Sequence, residues 1–273
     1  MGETISLGQV QETLLIPLYG RALDARRGHS ALGDTKAVEL VDAIDYDFGK
    51  FRGPSLAGSV LRASIFDGYV RAFLADHPEA TVVDIGCGLS TRFHRLDNGR
   101  LRWFDLDMPD TIALRRRFFD DGERYTMIAG SIFESDWFAR IAEHPGPYFL
   151  LSEAVLLYFP VEEVHAAVRQ LASAFGGGRF AVDTGGAAMM RTQDRNPVFQ
   201  AVQARMQWTC DDPRSLEQCG LRLLESRDFA SPQQAVARTW PMRYRLGPKI
   251  LRLLVPPPIT TYKVNLFEIA PAR

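Results

Sequence analysis

The chain is short of cysteine and histidine. Its three cysteines, Cys87, Cys210 and Cys219, are odd in number and lack Cys-x-x-Cys spacing, so they form neither a disulfide framework nor a zinc site. That usage fits a reduced, cytoplasmic setting. An excess of either charge is also missing. The 32 Lys and Arg stand against 33 Asp and Glu, a formal net charge of −1, which gives no electrostatic ground for a nucleic-acid or membrane partner. The run Arg115-Arg116-Arg117 reads as a solvated helix face rather than a basic patch. Long apolar runs are absent too. The most apolar stretch, 148–159, is interrupted by Ser152 and Glu153, and a bilayer span needs about 20 residues. The first 21 residues lack a basic segment followed by a clean apolar one, so no signal peptide is read. There is no internal repeat, and the triplet Pro256-Pro257-Pro258 reads as a stiff connection.

What remains is an ordinary globular composition, 46% hydrophobic and 24% charged, able to bury a sizeable core. Residues 1–75 read as a helical cap. Val10, Leu14, Leu15 and Leu18 recur at helical spacing, Asp34 is placed to cap a helix over 36–44, and Pro54-Ser55 opens a long amphipathic segment. From residue 76 the period changes. Short β-branched or aromatic runs at 80–85, 101–106, 124–129, 147–153 and 179–184 alternate with helical stretches at 91–96, 110–119, 136–143 and 161–175. Strands alternating with helices imply a parallel sheet covered on both faces. After Gly185 the pattern loosens. Helices are expected over 197–208 and 213–219 and strands over 221–229 and 260–269, while the proline-broken 240s are left unassigned. The expected fold is α/β: a Rossmann-like, seven-stranded, mostly parallel sheet spanning 76–273, with irregular acceptor-binding insertions after 185.

The segment Val82-Val83-Asp84-Ile85-Gly86-Cys87-Gly88 is a strand running into a glycine loop. Such a loop lets a nucleotide approach the backbone at the carboxyl end of a parallel strand. A dinucleotide fingerprint would place a third glycine where Thr91 stands, and Asp84 would be unhelpful beside a pyrophosphate. S-adenosylmethionine has no phosphate and carries a sulfonium and an ammonium, for which a carboxylate is favourable. Asp107 follows Gly88 by 19 residues, the distance at which an acid takes ribose hydroxyls; Asp105 qualifies as well. Glu153 ends the fourth expected strand beside the same crevice, since a charge within an apolar run calls for a partner.

These pieces, with Leu18–Arg27, Asp34–Leu40, Asp45–Phe48 and Trp103–Pro109, resemble the leucine carboxyl methyltransferase superfamily and, within it, the tetracenomycin-type polyketide O-methyltransferases. The similarity runs from Leu18 to about Asp183 and weakens beyond. It implies a class I methyltransferase fold with a helical cap over S-adenosylmethionine, and S-adenosylhomocysteine as product. It implies that Arg62 reaches the methionyl carboxylate with Lys36 as a second candidate, that Gly86 lines the cofactor, and that Asp107 rather than Asp105 takes the ribose. It also implies that Ser131 and Ile132 border the adenine and that Glu153 stands near the methionyl end. Family members that methylate a C-terminal leucine carry an arginine after the adenine pair. Here that position is Phe133, which favours a small, partly apolar acceptor over a protein.

Methyl transfer needs alignment and a desolvated nucleophile. A carboxylate is ionised at neutral pH and needs no base, whereas a phenol usually does. None of His29, His77, His94, His144 and His165 falls at a strand end facing the crevice, which favours a carboxylate. Arg21 and Tyr158 are candidates to orient it; Tyr19, Arg191, Arg195, Trp208, Arg243 and Tyr262 are further pocket candidates. The expected partner is a small molecule; no metal site is expected, and the oligomeric state stays open. The leading expectation is therefore an O-methyltransferase acting on a polyketide-like carboxylic acid. Behind it stand a C-terminal protein carboxyl methyltransferase, a binding protein or cyclase that no longer transfers methyl and, distantly, a nicotinamide oxidoreductase.

Overall fold

The computed structural model describes residues 3–4, 11–254 and 261–271; Val10 and the proline triplet lie outside them. Seven strands form one sheet: β1 (Thr81–Ile85), β2 (Arg102–Asp107), β3 (Tyr125–Ala129), β4 (Tyr148–Ser152), β5 (Arg179–Gly185), β6 (Leu221–Arg227) and β7 (Tyr262–Ile269). Their order is β3-β2-β1-β4-β5-β7-β6. The first five are parallel, and β7 runs antiparallel between β5 and β6. Central strands covered on both faces read as continuous apolar runs; all five residues of β1 are buried. The edge strand β6 alternates instead, with Arg222 exposed and a bulge between Leu223 and Glu225, which suits a strand with one free edge. A separate two-residue parallel ladder joins Glu3–Thr4 to Ile44–Asp45.

The first helices are α1 (Leu15–Ala25), α2 (Thr35–Ala43) and α3 (Ser55–Asp76). Asp34 caps α2 as expected, accepting the Ala37 amide at 3.1 Å. α1 and α3 cross at Gly20, where a Cβ would lie 2.5 Å from both Leu56 O and Ser59 Oγ. α3 also packs on the sheet: the Tyr69 hydroxyl donates to Val264 O at 3.3 Å, and the Phe73 ring lies 5.2 Å from that of Phe149. It is thus shared between α1 and the sheet, which explains its burial on more than one side.

The α/β helices fall where expected: α4 (Arg92–Leu96), α5 (Pro109–Arg115), α6 (Asp136–Ala142) and α7 (Val161–Ala174). The later segments depart from expectation. Beyond α8 (Ala187–Thr192), the helix expected over 197–208 shrinks to α9 (Pro197–Gln200). The chain then turns so that the amides of Gln207 and Trp208 both reach Leu157 O, at 2.7 and 3.1 Å, and Trp208 enters the core. Residues 213–219 form a 3-10 helix. After α10 (Gln234–Thr239), the unassigned 240s form α11 (Met242–Leu254), with Pro248 inside it. Among the described residues no helix is long and apolar enough to cross a membrane.

Candidate active site

The site lies at the carboxyl ends of β2, β1 and β4, where the strand order reverses and open α/β sheets bind ligands. The loop after β1 is held open by glycine. Gly86 has φ +69° and Gly88 φ +51°, and a Cβ on Gly86 would stand 2.2 Å from Val155 Cγ2. Only glycine meets both conditions. Guanidinium groups hold the loop's carbonyls: Arg115 donates to Gly88 O at 2.6 Å and Ser90 O at 3.0 Å, and Arg21 to Leu89 O at 2.8 Å. The Gly88 amide donates to Asp107 Oδ2 and the Met108 amide to Oδ1, each at 2.7 Å. Asp107 is therefore fixed at the loop's mouth.

At the other side of the loop stands a set of ion pairs. Arg62 Nε donates to Glu153 Oε1 at 2.7 Å and its Nη1 to the Tyr262 hydroxyl at 3.2 Å. Arg92 donates to the second Glu153 oxygen, to Asp67 Oδ1 at 2.8 Å and to Asp84 Oδ2 at 2.8 Å. Arg95 joins Asp67 to Asp34, both at 2.9 Å, and Asp34 pairs with Arg21 at 2.8 Å. Charges thus alternate from Arg21 through Asp34, Arg95, Asp67, Arg92 and Glu153 to Arg62. Burial opposes ionisation of Asp67, but Arg95 and Arg92 bring its carboxyl down to about 2. Glu153 is lowered likewise, its burial outweighed by Arg62 and Arg92. For Asp84 burial prevails over Arg92 and raises the carboxyl to about 6.

These groups border a cavity of about 770 Å³. Its lining includes Gly86, Gly88, Asp107, Asp84, Arg62 and Glu153, with Arg21 and Tyr158. Burial pushes the Tyr158 hydroxyl up to about 12. The lining also carries the apolar side chains of Met189, Val198, Phe199, Met206, Phe229 and Leu251, and the arginines Arg195 and Arg243. No histidine is among the described residues that line it.

Four expected cofactor residues do not line this cavity. Lys36 pairs with Glu39 on its own helix at 2.8 Å. Asp105 is two residues short of the end of β2 and is covered: it accepts from Trp103 Nε1 at 2.8 Å, from the Tyr125 hydroxyl at 2.5 Å and from Arg115. Ser131 and Ile132 follow β3 next to the Asp107 strand, but the Ser131 carbonyl takes Trp137 Nε1 at 3.0 Å and Ile132 is buried. Asp84 lines the cavity, yet its carboxylate is engaged by Arg92. Arg115, expected in solvent, is 1% exposed because Asp105 and the loop carbonyls draw it inward. Of the acceptor candidates, Tyr19 stacks on Phe48, Trp208 is core, and Arg191 and Arg195 are both exposed, Arg195 alone of the two lining the cavity. Sequence reasoning missed Arg92, Asp67 and Asp183. The available signal was a set of carboxylates in or just after strands, Asp84, Asp105 and Glu153, each needing a buried arginine.

The sheet order, the glycine loop after β1 and the acid ending β2 define a class I methyltransferase. The donor set is compatible with S-adenosylmethionine: Gly86 and Gly88 leave the loop without side chains at the cavity, and Arg62, Glu153 and Asp107 line it with one cation and two carboxylates, chemistry complementary to a carboxylate, an ammonium and ribose hydroxyls. The leucine carboxyl methyltransferase family model matches residues 16–172, and the chain belongs to that family. It is 34% identical over 244 residues to the tetracenomycin polyketide synthesis O-methyltransferase TcmP of Streptomyces glaucescens, covering 87% of this chain and 90% of that one. It is 29% identical to the S-adenosyl-L-methionine-dependent methyltransferase dpfgK of Gibberella zeae, covering 79% and 82%. Among solved structures, a DUF574 family protein of Streptomyces avermitilis shares the fold, with TM-score 0.58, 13% identity and coverage of 94% and 96%. The chain is an S-adenosylmethionine-dependent O-methyltransferase.

Proposed function

We propose that this enzyme methylates the carboxylate of a small, largely apolar, polyketide-like acid. The observation that carries the reading is the division of charge in the cavity. Of the arginines lining it, Arg21, Arg62, Arg92 and Arg243 are each paired with a carboxylate. Among the described residues, Arg195 is the lining arginine for which no such pair exists. Among the described residues that line the cavity with it, no histidine stands to deprotonate a phenol. An acid arrives ionised and needs a cation to orient it, not a base to activate it.

In this reading Gly86, Gly88, Asp107, Arg62 and Glu153 hold the cofactor, with Asp107 toward the ribose and Arg62 and Glu153 toward the methionyl end. S-adenosylmethionine supplies an electrophilic methyl group on a sulfonium. The apolar wall of Met189, Phe199 and Leu251 strips water from the acceptor, Arg195 takes one carboxylate oxygen, and the other is left free to attack. Residues 1–75 serve as the cap and 76–273 as the transfer domain. Phe133, edge-on to Phe159 at 4.6 Å, supports a small acceptor over a leucine-terminated protein. The three free cysteines, all buried, favour a reduced cytoplasmic setting.

Arg195→Met should raise the acceptor KM for an aromatic acid about tenfold or more while leaving S-adenosylhomocysteine affinity within twofold, because a charged hydrogen bond contributes roughly 1.5–3 kcal/mol. An unchanged acceptor KM would remove Arg195 from the site. Preference for leucine-ended peptides over aromatic acids would favour the protein-directed reading.

A further inference from the structure

Behind the methionyl end of the cavity stands a carboxylate that the transfer chemistry leaves unused. Asp183 lies in β5, is 0% exposed and does not line the cavity. Its two oxygens accept the backbone amide of Ala154 at 2.9 and 3.0 Å. The Tyr262 hydroxyl, carried by the antiparallel strand β7, donates to its Oδ2, and Arg62 Nε lies 4.0 Å from the same oxygen. Ala154 has φ +57°, a left-handed conformation that no other non-glycine residue adopts among the described residues. An L side chain holds such a backbone only where its surroundings over-determine it, and such sites cluster where function needs them.

The residues on either side show what this turn achieves. Glu153, before it, presents the carboxylate that Arg62 and Arg92 share. Val155, after it, places its Cγ2 where a Cβ on Gly86 would come within 2.2 Å. One strained residue thus sets the methionyl-end carboxylate and closes the chain over the glycine loop.

We propose that Asp183 is a positioning residue for the cofactor. It clamps the Ala154 amide in the left-handed turn, with Tyr262 orienting its carboxylate, and so fixes Glu153 and Val155 against Arg62 and Gly86. The inference rests on the reading that Glu153 meets the methionyl end, and its test separates the two. S-adenosylhomocysteine is titrated calorimetrically into wild-type protein, Glu153→Gln, Asp183→Asn, Asp183→Ala, Ala154→Gly and the double variant Asp183→Ala/Ala154→Gly, each checked for a cooperative melt.

Asp183→Ala should weaken binding about tenfold or more while leaving the acceptor KM unchanged. Asp183→Asn keeps an acceptor for the Ala154 amide and should stay within a few-fold of wild type. In the Ala154→Gly background, where φ > 0 is unstrained, Asp183→Ala should cost less affinity than it does alone. A general loss of packing would not respond to that glycine. Should Asp183→Ala fail to fold, Tyr262→Phe with and without Ala154→Gly makes the same comparison, with a several-fold loss and recovery expected. Wild-type affinity in folded Asp183→Ala, or a loss that Ala154→Gly does not relieve, overturns the proposal. Wild-type affinity in Glu153→Gln would instead remove the reading beneath it.

Discussion

Two aspartates on one strand illustrate how position decides a residue's work. Asp105 and Asp107 share a face of β2, since side chains two apart point the same way. Asp107 ends the strand and meets the loop amides of Gly88 and Met108, whereas Asp105 is covered by Arg115, Tyr125 and Trp103. Asp107→Ala should therefore cut S-adenosylhomocysteine affinity at least tenfold with little change in stability. Asp105→Ala should do the reverse, lowering unfolding free energy by about 3–5 kcal/mol because it strands a buried guanidinium. Calorimetry and urea unfolding on both variants check the pair, and an equal effect of the two on binding would contradict the assignment. The 19-residue spacing read from the sequence left both aspartates open; burial beneath α5 separates them, and no spacing encodes that. Gly86 was legible because it follows a β-branched strand in an Asp-x-Gly-x-Gly run, and its backbone and its closeness to Val155 both demand glycine.

Among the elements, those with a strong period were legible and those shaped by side-chain demands were not. The β-branched and aromatic runs of β1, β2, β4 and β5 announced themselves to within a residue or two. α9 ends early because the chain after Gln200 supplies amides to Leu157 O, a long-range requirement invisible in local sequence. α11 escaped because Pro248 reads as a breaker, yet the helix runs through it and Pro248 lines the cavity. The α1–α3 crossing gives a test at this scale. Gly20→Ala puts a methyl 2.5 Å from Leu56 O, and forcing the helices apart should cost about 1–3 kcal/mol of stability. A urea midpoint equal to wild type would show that the crossing yields freely.

Over the whole molecule, the alternating charges from Arg21 to Arg62 tie the first three helices to α4 and to the carboxyl ends of the sheet. This arrangement was not legible: a net charge of −1 conceals it, and its arginines, Arg92 and Arg95 above all, look like ordinary helix residues. It makes stability depend on pH. The Asp67 carboxyl falls from 3.8 to about 2 on folding, so its contribution, about 2 kcal/mol, is present above pH ~4 and is lost as pH falls toward 2. Asp84 acts oppositely: raised to about 6, it favours the folded state most when protonated, and that share is lost as pH rises through 6. Asp67→Asn should flatten the acid limb of a urea-midpoint profile between pH 4 and 2; an undiminished slope would place the acid sensitivity elsewhere.

The central claim is that the methyl group goes to a carboxylate oxygen. It is tested most directly by incubating the enzyme with labelled S-adenosylmethionine and an aromatic acid bearing both a free carboxyl and a free phenol, then treating the product with mild alkali. The arrangement around Arg195 predicts a methyl ester, from which alkali releases the label as methanol. An alkali-stable methyl ether would contradict it, and would require a base that the described cavity residues do not supply as a histidine.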